Sequence, residues 1–281
     1  SCMETFFSEC LLNGSVRNLA SGSFFQIMSH TTAANMAHAF GLCGTTLSPN
    51  SACTSSAQAI GLAYEMIVSG SQDLMLCGGS EELHPIVSGS LDLVQAASWH
   101  YNDEPTRSPR PFDKDRDGTV CGEGGGALVL EAEEVARERG AEILAEVAGY
   151  ATTTDGTHLA ESHHESIARC IQNALDKVNL LAEEVDYINA HATGTNLGDI
   201  AEAQAIGEVF GGRDVPVSSL KGSIGHTLGA SCALELIASI EMAKEGILIP
   251  TRNLETPGEG CEGINLIRKP QEKRIGTWVK N

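Results

Sequence analysis

Apolar residues recur at helical spacing from Thr54 to Gly70, where Ala57, Ile60, Ala63, Tyr64, Ile67 and Val68 share a side and Gly70 stands at a C-terminal stop. The pattern predicts a helix with Cys53 at its entrance. Asp73–Gly79 is short, apolar and closed by glycines, and Ala127–Glu131 reads the same way, so both are predicted as buried strands. Further along, Glu142–Gly149 predicts a strand leading to a helix near Ser166–Val178, and Val185–Ala190 a strand leading to a helix near Ile200–Val209. Val215–Ser219 then precedes a Gly-rich turn and a long helix from about Leu228 to Lys244. Such alternation indicates an α/β fold with a largely buried sheet. The charged stretch Glu131–Arg139 reads as a solvated helix face, and the best internal boundary follows it, near Gly140–Glu142.

Composition narrows the function classes. With 281 residues, 42% hydrophobic and 20% charged, the chain is long enough for a sizeable core in one large or two smaller domains. A net charge of −19 speaks against general nucleic-acid binding, which needs clustered Lys and Arg to release counterions. No apolar run approaches the roughly 18 residues that span a bilayer. The opening Ser1-Cys2-Met3-Glu4 lacks the basic-then-apolar order of a signal peptide, so no membrane association and a cytoplasmic location are expected. Nine cysteines at irregular spacing predict reduced thiols.

Three small-residue segments carry the candidate chemistry. Cys53, in Asn50-Ser51-Ala52-Cys53-Thr54-Ser55-Ser56, sits where the first turn of a helix presents unpaired N–H groups, an environment expected to lower a thiol's pKa and stabilise the thiolate. His191 follows the Val185–Ala190 strand and enters Ala192-Thr193-Gly194-Thr195; His226 lies just before Leu228-Gly229-Ala230 opens the next helix. Strand ends that turn into helices are the usual place for sites in α/β sheets. A thiol with two imidazoles suits thioester chemistry.

Other motifs read differently. Asp113-Lys114-Asp115-Arg116-Asp117-Gly118 copies the opening of a calcium loop, but Gly124 stands where the bidentate acid belongs, and Pro109 and Pro111 spoil the incoming helix. Gly122-Glu123-Gly124-Gly125-Gly126 precedes a strand and lacks dinucleotide spacing, so it marks a place where backbones pass closely. His158, His163 and His164, near Asp155 and Glu161, show no tetrahedral ligand spacing and read as a polar surface loop; no metal is expected.

Ser51-Ala52-Cys53-Thr54-Ser55-Ser56-Ala57, Asn189-Ala190-His191-Ala192-Thr193-Gly194-Thr195-Asn196-Leu197-Gly198-Asp199 and Lys221-Gly222-Ser223-Ile224-Gly225-His226-Thr227-Leu228-Gly229-Ala230 resemble the three signature blocks of β-ketoacyl-acyl-carrier-protein synthases. Their order and spacing agree, and Tyr101-Asn102-Asp103 and Arg110-Pro111-Phe112-Asp113 resemble segments between them. The resemblance implies a thiolase-like α/β fold of two related halves in αβαβα layers, with 1–144 as the rest of the N-terminal half and 145–281 as the C-terminal half.

It also implies a decarboxylative Claisen condensation in fatty-acid or related polyketide synthesis. Cys53 would be the nucleophile, with His191 and His226 as its partners; Lys221 and Glu235 would orient and tune His226, and Thr193 and Thr195 would bind the phosphopantetheine arm. The chain would need no cofactor of its own, because that arm arrives on the acyl-carrier protein. The implied partners are acyl-carrier protein with its acyl and malonyl thioesters, docked on a local positive patch that includes Arg17, and a second copy in a homodimer.

A non-catalytic partner like the chain-length factors is the alternative, and Cys53 speaks against it because such partners replace the nucleophile. A degradative thiolase would need a second cysteine near the C-terminus; Cys261-Glu262-Gly263 has the letters, while the histidine blocks are those of synthases. Family members carry an additional N-terminal segment and continue past Lys280-Asn281 into a Gly-Phe-Gly-Gly loop that supplies an oxyanion donor. The chain is therefore expected to be a piece of a longer synthase, with the Cys53 amide as its remaining oxyanion donor.

Overall fold

The computed structural model describes residues 2–17, 19–157, 162–211 and 214–281. It divides into two compact units, one ending at Ser51 and the other running from Ala52 to Asn281. The first is helical, with α1 (Cys2–Asn13), α2 (Gly22–Gln26) and α3 (Thr31–Phe40). Gly41 ends α3 in the left-handed conformation at φ 64°, and its N–H caps the Ala37 and His38 carbonyls. Arg17 lies exposed in a turn of this unit.

The second unit opens with a single 3₁₀ turn at Ala52–Thr54, which feeds α4 (Ser55–Val68). A two-stranded antiparallel ladder follows, β1 (Leu74–Glu81) on β2 (Gly124–Glu131), with α5 (Pro85–Leu93) between them in sequence. The ladder accounts for the glycines: a Cβ on Gly78 would stand 2.0 Å from the Gly126 carbonyl oxygen. Beyond β2, α6 (Glu133–Glu138) is mostly exposed, and Arg137 and Arg139 pair with Glu133 and Glu131. That is the solvated charged face its sequence suggested.

The remaining elements form a four-stranded parallel sheet and its helices. The strands are β3 (Tyr187–Asn189), β4 (Pro216–Ser218), β6 (Asn265–Leu266) and β8 (Trp278–Lys280), in the order β6-β4-β3-β8. Around them lie α7 (His164–Lys177), α8 (Asn196–Phe210), the short α9 (Lys221–Ile224) and α10 (Ser231–Glu245). A small antiparallel pair, β5 (Ile247–Leu248) with β7 (Gln271–Glu272), completes the unit. Ile188 and Val217, on neighbouring central strands, are fully buried among Ile171, Ile206 and Phe210. Each such aliphatic chain contributes about 1.5–3 kcal/mol by burial.

Two readings depart from expectation. β1 and β2 are not buried strands: α4 and α10 cover the face that carries Met75, Cys77, Leu128 and Leu130, while Leu74 and Val129 are 42% and 59% exposed. Glu142–Gly149 pairs with no strand among the described residues, and Ile143 and Leu144 are 45% and 61% exposed. An apolar run becomes a strand only when another backbone edge accepts its N–H and C=O groups, and here none does.

A separate core cluster joins α4 to β2 and α10 through Ile60, Ala63, Leu130, Cys232 and Ala233. This packing fixes the helix that follows Cys53 against the one that follows His226. Among the described residues no helix is long and apolar enough to cross a membrane. The cysteines whose side chains are described are all free thiols.

Candidate active site

The three sequence-predicted residues meet in the second unit. Cys53 occupies the 3₁₀ turn ahead of α4, with Ala52 before it at φ 50° in the left-handed region. Three residues on, Ser56 is fully buried and its Oγ accepts the Ala233 N–H, which ties the start of α4 to α10. His226 is sewn in by backbone: its N–H donates to the Val120 carbonyl at 2.7 Å, and its own carbonyl accepts from Gly122 at 2.9 Å. Gly225, at φ 71°, allows this approach, since a Cβ there would sit 3.0 Å from the Val120 oxygen.

His226 Nε2 then lies 3.0 Å from Cys53 Sγ, while Nδ1 lies 2.9 Å from Ser231 Oγ in the first turn of α10. His191 leaves the end of β3, and its ring stands edge-on to that of His226 with centroids 5.2 Å apart. One sulfur or nitrogen atom from each of the three side chains lies within 4.8 Å of the others. Among the described residues no other trio of His, Cys, Asp or Glu converges in this way.

Burial sets the protonation states. His226 is pushed down to about 3, first by burial and then by the Lys221 charge, with Glu235 opposing. Burial, helped by Lys221, His226 and Lys280, holds His191 well below the ordinary imidazole range. Both rings are therefore neutral near pH 7 and each offers one N–H. Cys53 corrects an expectation: burial raises the thiol and outweighs the lowering by Lys221 and by the backbone N–H of Cys53. The helix entrance supports negative charge on sulfur without making it the resting state.

Lys221 and Glu235 also come together. Lys221 Nζ is 2.5 Å from Glu235 Oε1, with side chains 1% and 0% exposed. Lys280 Nζ approaches the other carboxylate oxygen, Oε2, at 3.0 Å. Thr193 and Thr195 share the loop after His191, and their hydroxyls lie 3.2 Å apart. Arg17 belongs to the other compact unit.

Several supports lie outside the residues singled out from the sequence. Glu202, buried on α8, accepts the backbone N–H groups of His191 at 2.7 Å and Ala192 at 2.6 Å. Asp199 accepts from Phe112 and Gly194 and lies 3.8 Å from Arg116, while burial pushes its carboxyl up to about 7. The calcium-like segment serves the same loop. Arg116 donates to the carbonyls of Thr195 and Asn196, and Asp113 is fully buried against Arg110. Acidic residues on one helix turn below a histidine were the available signal for Asp199 and Glu202.

The histidine-rich stretch offers less. His158 and Glu161 lie outside the described residues. His164 pairs with Glu165 and Glu208, and the His163 N–H donates to Asp155.

Comparison with known proteins gives a consistent picture. Residues 6–136 match the family described as beta-ketoacyl synthase, N-terminal domain, and residues 144–255 match beta-ketoacyl synthase, C-terminal domain. The chain is 37% identical over 254 residues to 3-oxoacyl-[acyl-carrier-protein] synthase 1 of Escherichia coli (strain K12), covering 90% of this chain and 62% of that protein. It is 40% identical over 247 residues to the chloroplastic 3-oxoacyl-[acyl-carrier-protein] synthase II of Arabidopsis thaliana, covering 86% of this chain and 45% of that protein. The chain thus spans less than two thirds of these relatives.

Among solved structures, a beta-ketoacyl synthase from Burkholderia phymatum STM815 superposes with a TM-score of 0.93 at 44% identity, covering 97% of this chain and 66% of that one. A chain of the AntDE:AntF complex, a type II polyketide acyl-carrier protein with its ketosynthase, superposes at 0.94 and 31% identity, covering 99% of this chain and 71% of that one.

Proposed function

Because the chain belongs to the β-ketoacyl synthase family, with its thiolase-like α/β fold, we propose that its second unit carries the reacting groups of a decarboxylative Claisen condensation. Cys53 attacks an acyl thioester on a carrier protein: the acyl group moves to Sγ, the bond to the carrier sulfur breaks, and the Cys53 proton passes to that departing sulfur. Malonyl-carrier protein then loses carbon dioxide, and the electron pair of the broken bond becomes an enolate on the thioester. The neutral N–H groups of His191 and His226 hydrogen-bond that enolate oxygen. The enolate carbon attacks the acyl-Cys53 carbonyl and expels the Cys53 thiolate, which takes up a proton from water to restore the thiol, leaving a β-ketoacyl thioester on the carrier.

The observation that carries this reading is the 3.0 Å contact between Cys53 Sγ and His226 Nε2, with His191 edge-on beside it and both rings neutral. Splitting the reaction at Cys53 suits such a site, because the same rings can serve a second substrate once the thiol is acylated. Thr193 and Thr195, on the loop after His191, are assigned to the phosphopantetheine arm, which the carrier brings; the chain binds no cofactor of its own. Exposed Arg17 is assigned to carrier docking. The halves 1–144 and 145–281 correspond to the nucleophile and histidine sides, and the protein is placed in the cytoplasm as a homodimer.

Mass spectrometry after incubation with an acyl-carrier protein tests the assignment. The wild type gains the acyl mass on Cys53 and Cys53→Ala gains none; acylation that persists in the variant overturns it.

A further inference from the structure

We propose that Lys280 is a positioning residue for this reaction: from β8 it grips the Glu235 carboxylate opposite Lys221 and places a second buried ammonium behind the two imidazoles. The proposal rests on the reading of Cys53, His191 and His226 as the reacting set.

The geometry is that of one carboxylate shared by two ammonium groups. Lys221 Nζ lies 2.5 Å from Oε1 of Glu235 and Lys280 Nζ lies 3.0 Å from Oε2, and the three side chains are 1%, 7% and 0% exposed. Strand pairing sets the place of Lys280, because β8 runs parallel to β3 with Lys280 opposite Asn189, two residues before His191. Lys280 also donates to the Asn281 carbonyl, and the Asn281 side chain donates to Glu202, which holds the His191 amide. The end of β8 therefore reaches the carboxylate behind each histidine.

Charge balance shows what the second lysine adds. Lys221 already pairs with Glu235, so Lys280 adds a positive charge beyond that pair, opposed by the Glu202 carboxylate, in a buried cluster where screening by water is weak. The titratable groups that face Lys280 are Glu235 and Cys232 on α10, Glu202 on α8, Lys221 on α9 and the rings of His191 and His226. Burial works against its charge, but Glu235, Cys232 and Glu202 outweigh it and keep Lys280 protonated. The charge of Lys280 disfavours a proton on either ring and favours an anion in the space that the rings enclose. Those are the two conditions an enolate needs there.

Lys280→Met tests the idea in the complete protein and leaves Glu235 paired with Lys221. Expected are a roughly tenfold drop in kcat for malonyl-carrier decarboxylation with KM within about twofold, and an acid limb and imidazole NMR titrations displaced upward by on the order of one pH unit. Lys280→Arg, which keeps the charge, returns the limb toward its wild-type position. Lys280→Gln replaces the methionine variant if that one does not fold.

A role confined to packing would lower the melting temperature and leave the limb and the titrations in place, and that result overturns the proposal. The NMR titration needs no turnover, so it reports on Lys280 even if Cys53→Ala is still acylated and the parent assignment fails.

Discussion

His226 Nε2 stands 3.0 Å from Cys53 Sγ although 173 residues separate the two in the chain. Since burial raises the thiol and pushes the ring down to about 3, the contact joins a neutral thiol to a neutral imidazole. Alkylation of Cys53 by iodoacetamide should therefore keep accelerating above the ordinary thiol range of about 8.5. Lys221 lowers the thiol, so Lys221→Met should raise it further and slow alkylation at pH 8. Equal rates in the two proteins would remove Lys221 from support of the thiolate.

The histidines should separate the two half-reactions. His191→Ala or His226→Ala removes a neutral donor from the enolate, and carbon dioxide release should fall on the order of a hundredfold. Acyl transfer to Cys53, which forms no enolate, should fall less. Unchanged decarboxylation in both variants would contradict their assigned role.

Gly79 packs where the two halves of the Cys53–His226 contact are braced. A Cβ there would lie 2.4 Å from the Gly229 carbonyl oxygen and 2.9 Å from Ser56 Cβ. Gly79→Ala must push the turn after His226 away from the helix after Cys53. A misplacement near 1 Å costs about a hundredfold in rate, which turnover measurements will show. Gly207→Ala is the control: its Cβ meets nothing within 4 Å, and alanine should stabilise α8 by about 0.5–1 kcal/mol.

Asp113 and Arg110 form a buried pair whose loss should be felt globally. Asp113→Ala leaves the buried Arg110 guanidinium with only the exposed Glu255 carboxylate, at 4.0 Å, and should cost about 3–5 kcal/mol by urea denaturation. Burial raises this carboxyl, yet N–H groups of Asp115, Thr256 and Glu255 together with Arg110 outweigh it, and its pKa is lowered. A carboxyl that titrates lower in the folded state stabilises fully above its unfolded value, about 3.9, and loses that contribution as pH falls through its folded one. The stability gap between wild type and variant should accordingly narrow on acidification, while a constant gap down to pH 2 would exclude the ionic contribution.

Short-range patterns made Cys53, His191 and His226 legible, because each sits in a run of small residues at the edge of a strong apolar period. The helices at Ser55–Val68, His164–Lys177 and Asn196–Phe210 followed from the same periods. Partnership was not legible. Glu142–Gly149 reads as a strand but finds no neighbouring edge, and Lys280 or Glu202 looks like any charged residue until the sheet brings each to its partner. The Cys53 thiol was misjudged for the same reason: local position announces the N–H groups, whereas burial comes from distant segments.

One helix carries more duties than its sequence suggests. On α10, Ser231 holds the His226 ring, the Ala233 amide meets Ser56, Glu235 joins two lysines, and Ser239 with the Glu235 carbonyl receives the Asn189 side chain below His191. Chemistry and architecture thus share a single failure point. On warming, the groups should disarm together rather than one by one, so the temperature that ends activity should coincide with the one that melts this helix.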